Sequence, residues 1–164
     1  MKVRIITSIV AVLLILPFLY FSDTFMLPVL AGILTVIALG EMLHCIGLLT
    51  RPAVSVPVFL FGAGLLTATR LLGMDRWIRL FFILLYLLIV YLMTAAVFSR
   101  GKLQITDAAM VLMTTVYITL GFSSLVLLRD MPFGNYFYLV PMLTAWGSDI
   151  FAYFTGYFFG RHKL

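Results

Sequence analysis

An ionisable side chain in the middle of an apolar run is the feature of this sequence that most needs a chemical reason. Asp149 stands in the run Phe137–Phe159, about ten residues and hence about 15 Å from its end, which is about the midplane of a bilayer. A charged group at that depth costs at least about 2.5–3.5 kcal/mol. At helical spacing Ala145, Asp149, Ala152, Tyr153, Gly156 and Gly160 share one narrow face. Small residues admit a second backbone, and Gly156 with Gly160 forms a GxxxG pair. An acid, a phenolic hydroxyl and a small-residue track make one wall of a polar cleft. The same residues also suit an acid that bonds a neighbouring helix and locks packing, and composition leaves both readings open.

Two other clusters bear on chemistry. Glu41, His44 and Cys45 fall at i, i+3 and i+4 on one helical face. Glu-x-x-His is a ligand spacing in bundle metal sites, but those draw on several such helices, and one copy is better read as a helix end where Glu41 and His44 meet water or headgroups. Arg161-His162-Lys163 directly follows the run that holds Asp149; on its own it reads as a basic membrane-edge anchor. No Walker-type loop, nucleophile elbow or zinc-spaced cysteine pair occurs. Cys45 is the single cysteine, so no internal disulfide can form.

The elements that must hold these residues follow from composition. Apolar residues make up 64% of the 164-residue chain and charged residues 10%, against about 45–50% and about 25% in soluble domains. So small a body cannot hide that much apolar surface from water, so its solvent is lipid. A span needs about 20 apolar residues, and six segments are expected: 3–21, 25–49, 53–72, 80–98, 108–128 and 137–159. The fold class is therefore all-α, a polytopic integral membrane helical bundle of about six transmembrane helices, with 1–164 as a single membrane domain. The breaks carry turn chemistry: Ser22-Asp23-Thr24, Thr50-Arg51-Pro52, Gly73-Met74-Asp75, Arg100-Gly101-Lys102 and 129–134. The first run is preceded by Lys2 and Arg4 but is long and lacks a small-x-small cleavage site, so it is expected to be a retained helix and not a removed signal.

Six spans place both termini on one side. That side holds Lys2, Arg4, Arg51, Arg100, Lys102, Arg161 and Lys163; the other holds Arg70, Arg76, Arg79 and Arg129. The positive-inside rule then puts both ends in the cytoplasm. The Asp75-Arg76-Trp77 cluster fits this least well, and is read either as an interfacial stretch anchored by Trp77 or as a misplaced boundary. The net charge of +5 comes as singles and pairs between apolar runs. That pattern suits membrane edges and not a nucleic-acid patch, so no nucleic-acid partner is expected.

The segment from Trp146 to Leu164 resembles the W-x-x-D-x-x-A-Y-x-x-G-x-x-x-G-[RK]-H-K-L stretch of bacterial phosphatidate cytidylyltransferases, the CDP-diacylglycerol synthases. Asp149, Ala152, Tyr153, Gly156, Gly160, Arg161, His162, Lys163 and Leu164 all stand where that pattern wants them. Glu41 is similar to an acidic residue late in that family's second helix, and the remaining spans agree in hydropathy and length. In the family the stretch continues into a Ser-Pro-Lys-Lys-Thr-type loop and further helices with a Lys-, Asp-, His- and Gly-rich signature. The resemblance implies that this chain is the N-terminal part of such an enzyme, inactive by itself, with the catalytic C-terminal part lying beyond it.

The reaction that the resemblance implies joins CTP and phosphatidic acid into CDP-diacylglycerol and pyrophosphate at the inner membrane. Both reactants are anionic, so a divalent cation such as Mg²⁺ and cationic side chains must offset their repulsion. On this reading Asp149 is catalytic by ordering Mg²⁺ or its hydration shell, and Tyr153 lines the cleft. Arg161, His162 and Lys163 face phosphates near the cytosolic mouth. Membrane lipids surround the bundle, and the family is compatible with a homodimer. Other readings remain: a related CTP-dependent lipid enzyme, such as a CDP-archaeol synthase or a polyprenol or phytol kinase-like protein, or a non-catalytic membrane scaffold or transporter fragment.

Overall fold

The computed structural model describes residues 21–99 and 101–159, together with Val10, Leu13, Leu16, Pro17 and Tyr20. It contains five long helices and one single turn, and no strand among the described residues. They are α1 (Met26–Ile46), α2 (Pro52–Leu71), α3 (Met74–Phe98), α4 (Ile105–Arg129), α5 (Gly134–Phe137) and α6 (Leu139–Phe159). The chain forms two compact units that divide between Val126 and Leu127.

The helix ends follow local chemistry. Ahead of α1, the Met26 N–H donates to the Thr24 hydroxyl at 3.3 Å, and that hydroxyl donates to the Phe21 carbonyl at 2.7 Å. Gly47 ends α1 at φ 78°, with its N–H on the His44 carbonyl and the Leu48 N–H on Leu43, a left-handed cap that glycine adopts without strain. Pro52 opens α2, where a missing N–H costs nothing. Gly101 at φ 82° turns the chain between α3 and α4.

Among the described residues four helices, α1 to α4, are long and apolar enough to cross a membrane, where six spans were expected over the whole chain. Span 3–21 falls largely outside the described residues. The sixth forms as α6, but Trp146-Gly147-Ser148-Asp149 in its middle leaves it short of the hydropathy of the other four. The expected 80–98 span is also longer, beginning at Met74. Trp77 is therefore not a headgroup anchor. It is buried, donates through Nε1 to the Leu65 carbonyl at 3.0 Å, and stacks on Phe81 at 5.7 Å.

The first unit's core lies between α1, α2 and α4. Leu27 and Ala31, Leu66, and Val126 form one buried cluster, with Phe122 packed against it. Gly62 marks a close approach: an added Cβ would stand 2.7 Å from Leu39 Cδ1, 3.0 Å from Thr35 Cγ2 and 3.5 Å from Thr119 Oγ1. Small residues at such crossings are how membrane helices gain contact where no hydrophobic driving force separates them from lipid. By contrast α3, the most apolar of the four, is the least buried; Phe82, Ile83 and Tyr86 point outward.

Hydrogen bonds between distant residues fix the two ends of this unit. At one end Arg70 donates to the carbonyls of Ser22 and Thr24. At the other, Arg51 donates to the carbonyl of Lys102. The loops expected on opposite membrane faces thus lie at opposite ends of the helices.

Candidate functional site

The second unit carries the acid on which the sequence reading turns. Its path is set by the joint after α4. Phe133 holds φ 63°, uncommon for a residue with a side chain. At Gly134 a Cβ would lie 2.0 Å from the Arg129 carbonyl oxygen and 2.6 Å from that of Leu128. Only glycine fits there. The Arg129 guanidinium lies over the ring of buried Tyr138 at 5.7 Å, a cation–π contact that joins the end of α4 to the start of α6.

Asp149 is the central residue of the 21-residue α6, with ten residues on either side. Hydroxyls elsewhere on this helix satisfy themselves: Thr144 donates to the Val140 and Pro141 carbonyls at 2.9 and 3.0 Å, and Thr155 to Phe151 at 2.7 Å. A carboxylate has no such recourse. It only accepts, and helix-interior N–H groups already face carbonyls one turn back. Asp149 must therefore look outside its own helix for a donor or a cation.

The described part of the expected face stays together. Ala145, Asp149, Ala152, Tyr153 and Gly156 are all exposed along α6, and Tyr153 makes an edge contact with Phe154 at 5.7 Å. The GxxxG pair does not form a tight crossing at its first member, since a Cβ at Gly156 would meet nothing within 4 Å. The wide groove on α6, about 440 Å³ with Leu143, Gly147 and Phe151 in its wall, lies on the opposite side of the helix from Asp149. Gly160, Arg161, His162, Lys163 and Leu164 lie outside the described residues.

Glu41, His44 and Cys45 are exposed in the last two turns of α1. No group of three His, Cys, Asp or Glu side chains is placed to hold a metal among the described residues. A lone carboxylate such as Asp149 fits Mg²⁺ only as one ligand among several, with substrate phosphates and water completing the octahedron.

Sequence reasoning missed a buried hydroxyl seam in the first unit. Thr115, Thr119 and Ser123 recur every four residues on the inner face of α4, and each is fully buried. Thr115 donates back to Val111 at 2.6 Å, whereas Thr119 Oγ1 and Ser123 Oγ have no hydrogen-bond partner among the described residues. The signal was the four-residue hydroxyl spacing within an otherwise apolar helix.

A model of the cytidylyltransferase family matches residues 2–164. Phosphatidate cytidylyltransferases of Staphylococcus aureus (strain COL) and Staphylococcus haemolyticus (strain JCSC1435) are each 30% identical over 165 residues. That of Staphylococcus epidermidis (strain ATCC 35984) is 29% identical over 171. Each alignment takes in 100% of this chain and 61% of the relative, so the chain spans about three-fifths of the length of the curated relatives it matches. No solved structure matches it.

Proposed function

The chain belongs to the cytidylyltransferase family, and from that membership we propose that it supplies the membrane part of a phosphatidate cytidylyltransferase. The reaction is CTP plus phosphatidic acid to CDP-diacylglycerol plus pyrophosphate. A phosphate oxygen of the lipid attacks the α-phosphorus of CTP, the new P–O bond forms as the α–β bridge breaks, and pyrophosphate leaves with the electron pair. The observation that carries this reading is Asp149, an acceptor-only carboxylate at the centre of α6 with Tyr153 one turn away on the same face.

Four anionic phosphoryl groups must meet in one place, so most of the catalytic task is positioning and charge compensation. Mg²⁺ bound there supplies positive charge to phosphate oxygens as negative charge develops at the leaving group. Asp149 would hold one position of its shell, directly or through water. The Tyr153 hydroxyl lines the same face, and Arg161, His162 and Lys163 follow the helix end, where cations attract nucleotide phosphates.

The proposed setting is the cell membrane with both ends of the chain in the cytoplasm, where CTP is found; the cation bias between the two sets of loops supports it. Changing Asp149→Asn in the complete enzyme, with folding checked, and assaying CTP-dependent CDP-diacylglycerol formation tests the reading. Loss of turnover is expected. Near-wild-type turnover removes Asp149 from the site, and preference for an archaeal lipid or a prenol over phosphatidic acid replaces the substrate.

A further inference from the structure

Two cavities succeed one another along the contact between α2 and α3. The first, about 280 Å³, lies at the end of the unit where α2 begins, with Arg51 and Lys102 at its rim and Val54 and Ala95 in its wall. The second, about 290 Å³, lies deeper, between Pro57 and Phe61 on one helix and Leu84 and Tyr91 on the other. From Ser99, which caps α3, through Ala95, Tyr91, Leu88 and Leu84 the lining residues step by three or four, so both cavities follow one face of that helix. From Arg51 to Phe61 the helix descends about 15 Å, half the hydrocarbon thickness and so one leaflet. Leu60 and Leu87 beside the deeper cavity are exposed, so the groove opens sideways to lipid.

We propose that this groove binds one anionic glycerophospholipid, its phosphate between Arg51 and Lys102 and an acyl chain laid along Pro57, Phe61 and Leu84. The charge arrangement selects the occupant. Arg51 donates to the Lys102 backbone carbonyl and both residues line the outer cavity, and an arginine fork has five donors to divide between that carbonyl and a phosphate. The rim also meets the start of α2, whose dipole favours an anion. Below it the walls are almost wholly apolar, which a soluble phosphate cannot use and a hydrocarbon chain can. The groove lies within the first unit and needs neither CTP nor Asp149; phosphatidic acid, the substrate proposed above, is also an anionic glycerophospholipid, so phosphatidylglycerol, which that reaction does not consume, is the probe.

Native mass spectrometry of the detergent-solubilised chain, titrated with phosphatidylglycerol and separately with phosphatidylcholine, tests it. Two basic residues, each worth a factor of about five near an anionic headgroup, predict about thirty-fold tighter retention of phosphatidylglycerol. R51Q/K102Q should remove that preference, K102Q alone should lower it about five-fold, and R76Q/R79Q at the other end should leave it intact. L84W, which fills the deeper cavity, should weaken phosphatidylglycerol while keeping the charge preference, and millimolar inorganic phosphate should not displace the lipid. Equal retention of the two lipids, or a preference that survives both K102Q and R51Q/K102Q, overturns the proposal. Displacement by inorganic phosphate with no effect of L84W makes it a phosphate site and overturns the lipid assignment. Because K102Q keeps the backbone carbonyl that Arg51 holds, it remains informative if the double variant does not fold.

Discussion

The hydroxyl of Tyr91 on α3 donates a 2.8 Å hydrogen bond to the backbone carbonyl of Ala53 on α2. Four residues on from Ala53 stands Pro57, inside the helix, and proline has no N–H to meet that carbonyl. Tyr91 supplies the missing donor from the neighbouring helix, so the local defect that Pro57 creates becomes an interhelical tie.

Tyr91→Phe is therefore expected to cost about 1 kcal/mol, within the range of hydrogen bonds between membrane helices. In a Pro57→Ala background the backbone N–H restored by the substitution recovers the Ala53 carbonyl, and the cost should fall toward zero. A double-mutant cycle read by denaturation in detergent checks this. Equal costs in both backgrounds would mean that the two residues are not coupled.

Two glycines on α2 should respond in opposite directions. Gly62→Ala gains about 1 kcal/mol of helix propensity but drives a Cβ to 2.7 Å from Leu39, which is buried, and overpacking of that kind costs about 1–3 kcal/mol. A net loss of about 1 kcal/mol is expected. Gly64→Ala meets nothing within 4 Å and should be neutral or up to about 1 kcal/mol stabilising. Melting temperatures of the two variants in one detergent decide it, and a Gly62→Ala variant more stable than Gly64→Ala would refute the close crossing.

At the joint before α6 the obstacle is main chain and has no rotamer to yield. Gly134→Ala places a Cβ 2.0 Å from the Arg129 carbonyl oxygen, so the turn must open. Hydrogen exchange at Tyr138, whose N–H bonds the Gly134 carbonyl at 3.2 Å, should speed up markedly. Gly121→Ala, with nothing within 4 Å, should leave that exchange rate unchanged.

For the proposed reaction, chelation of divalent cations should abolish turnover of the complete enzyme, and Mg²⁺ should restore it. Asp149→Asn should lower kcat/KM by about 10²-fold or more, the scale for losing one charge-compensating group. It should also raise the Mg²⁺ concentration needed for half-maximal rate. Turnover that persists in the presence of chelator would sink the metal role.

Much of this molecule was legible without coordinates. Lipid forbids unpaired backbone polar groups, so every long apolar run had to be helical, and the turns at Ser22–Thr24, Arg51–Pro52 and Gly101 stand where glycine, proline and polar residues put them. Asp149 was equally visible, because an acid at the centre of an apolar helix conflicts with its expected solvent. Family membership could be read from the nine spaced positions around it.

Tertiary structure decided which apolar surface faces protein and which faces lipid. In water, hydropathy separates inside from outside; in a bilayer the exterior is as oily as the core, and that signal disappears. The stretch at Trp77 thus read either as an interfacial anchor or as a misplaced boundary, and only the fold shows Trp77 buried against Leu65 while Phe82, five residues on, faces outward. The ties Arg51–Lys102 and Tyr91–Ala53 join residues far apart in sequence. No local pattern records them, since each depends on where two helix ends arrive and on a carbonyl left open by packing or by proline.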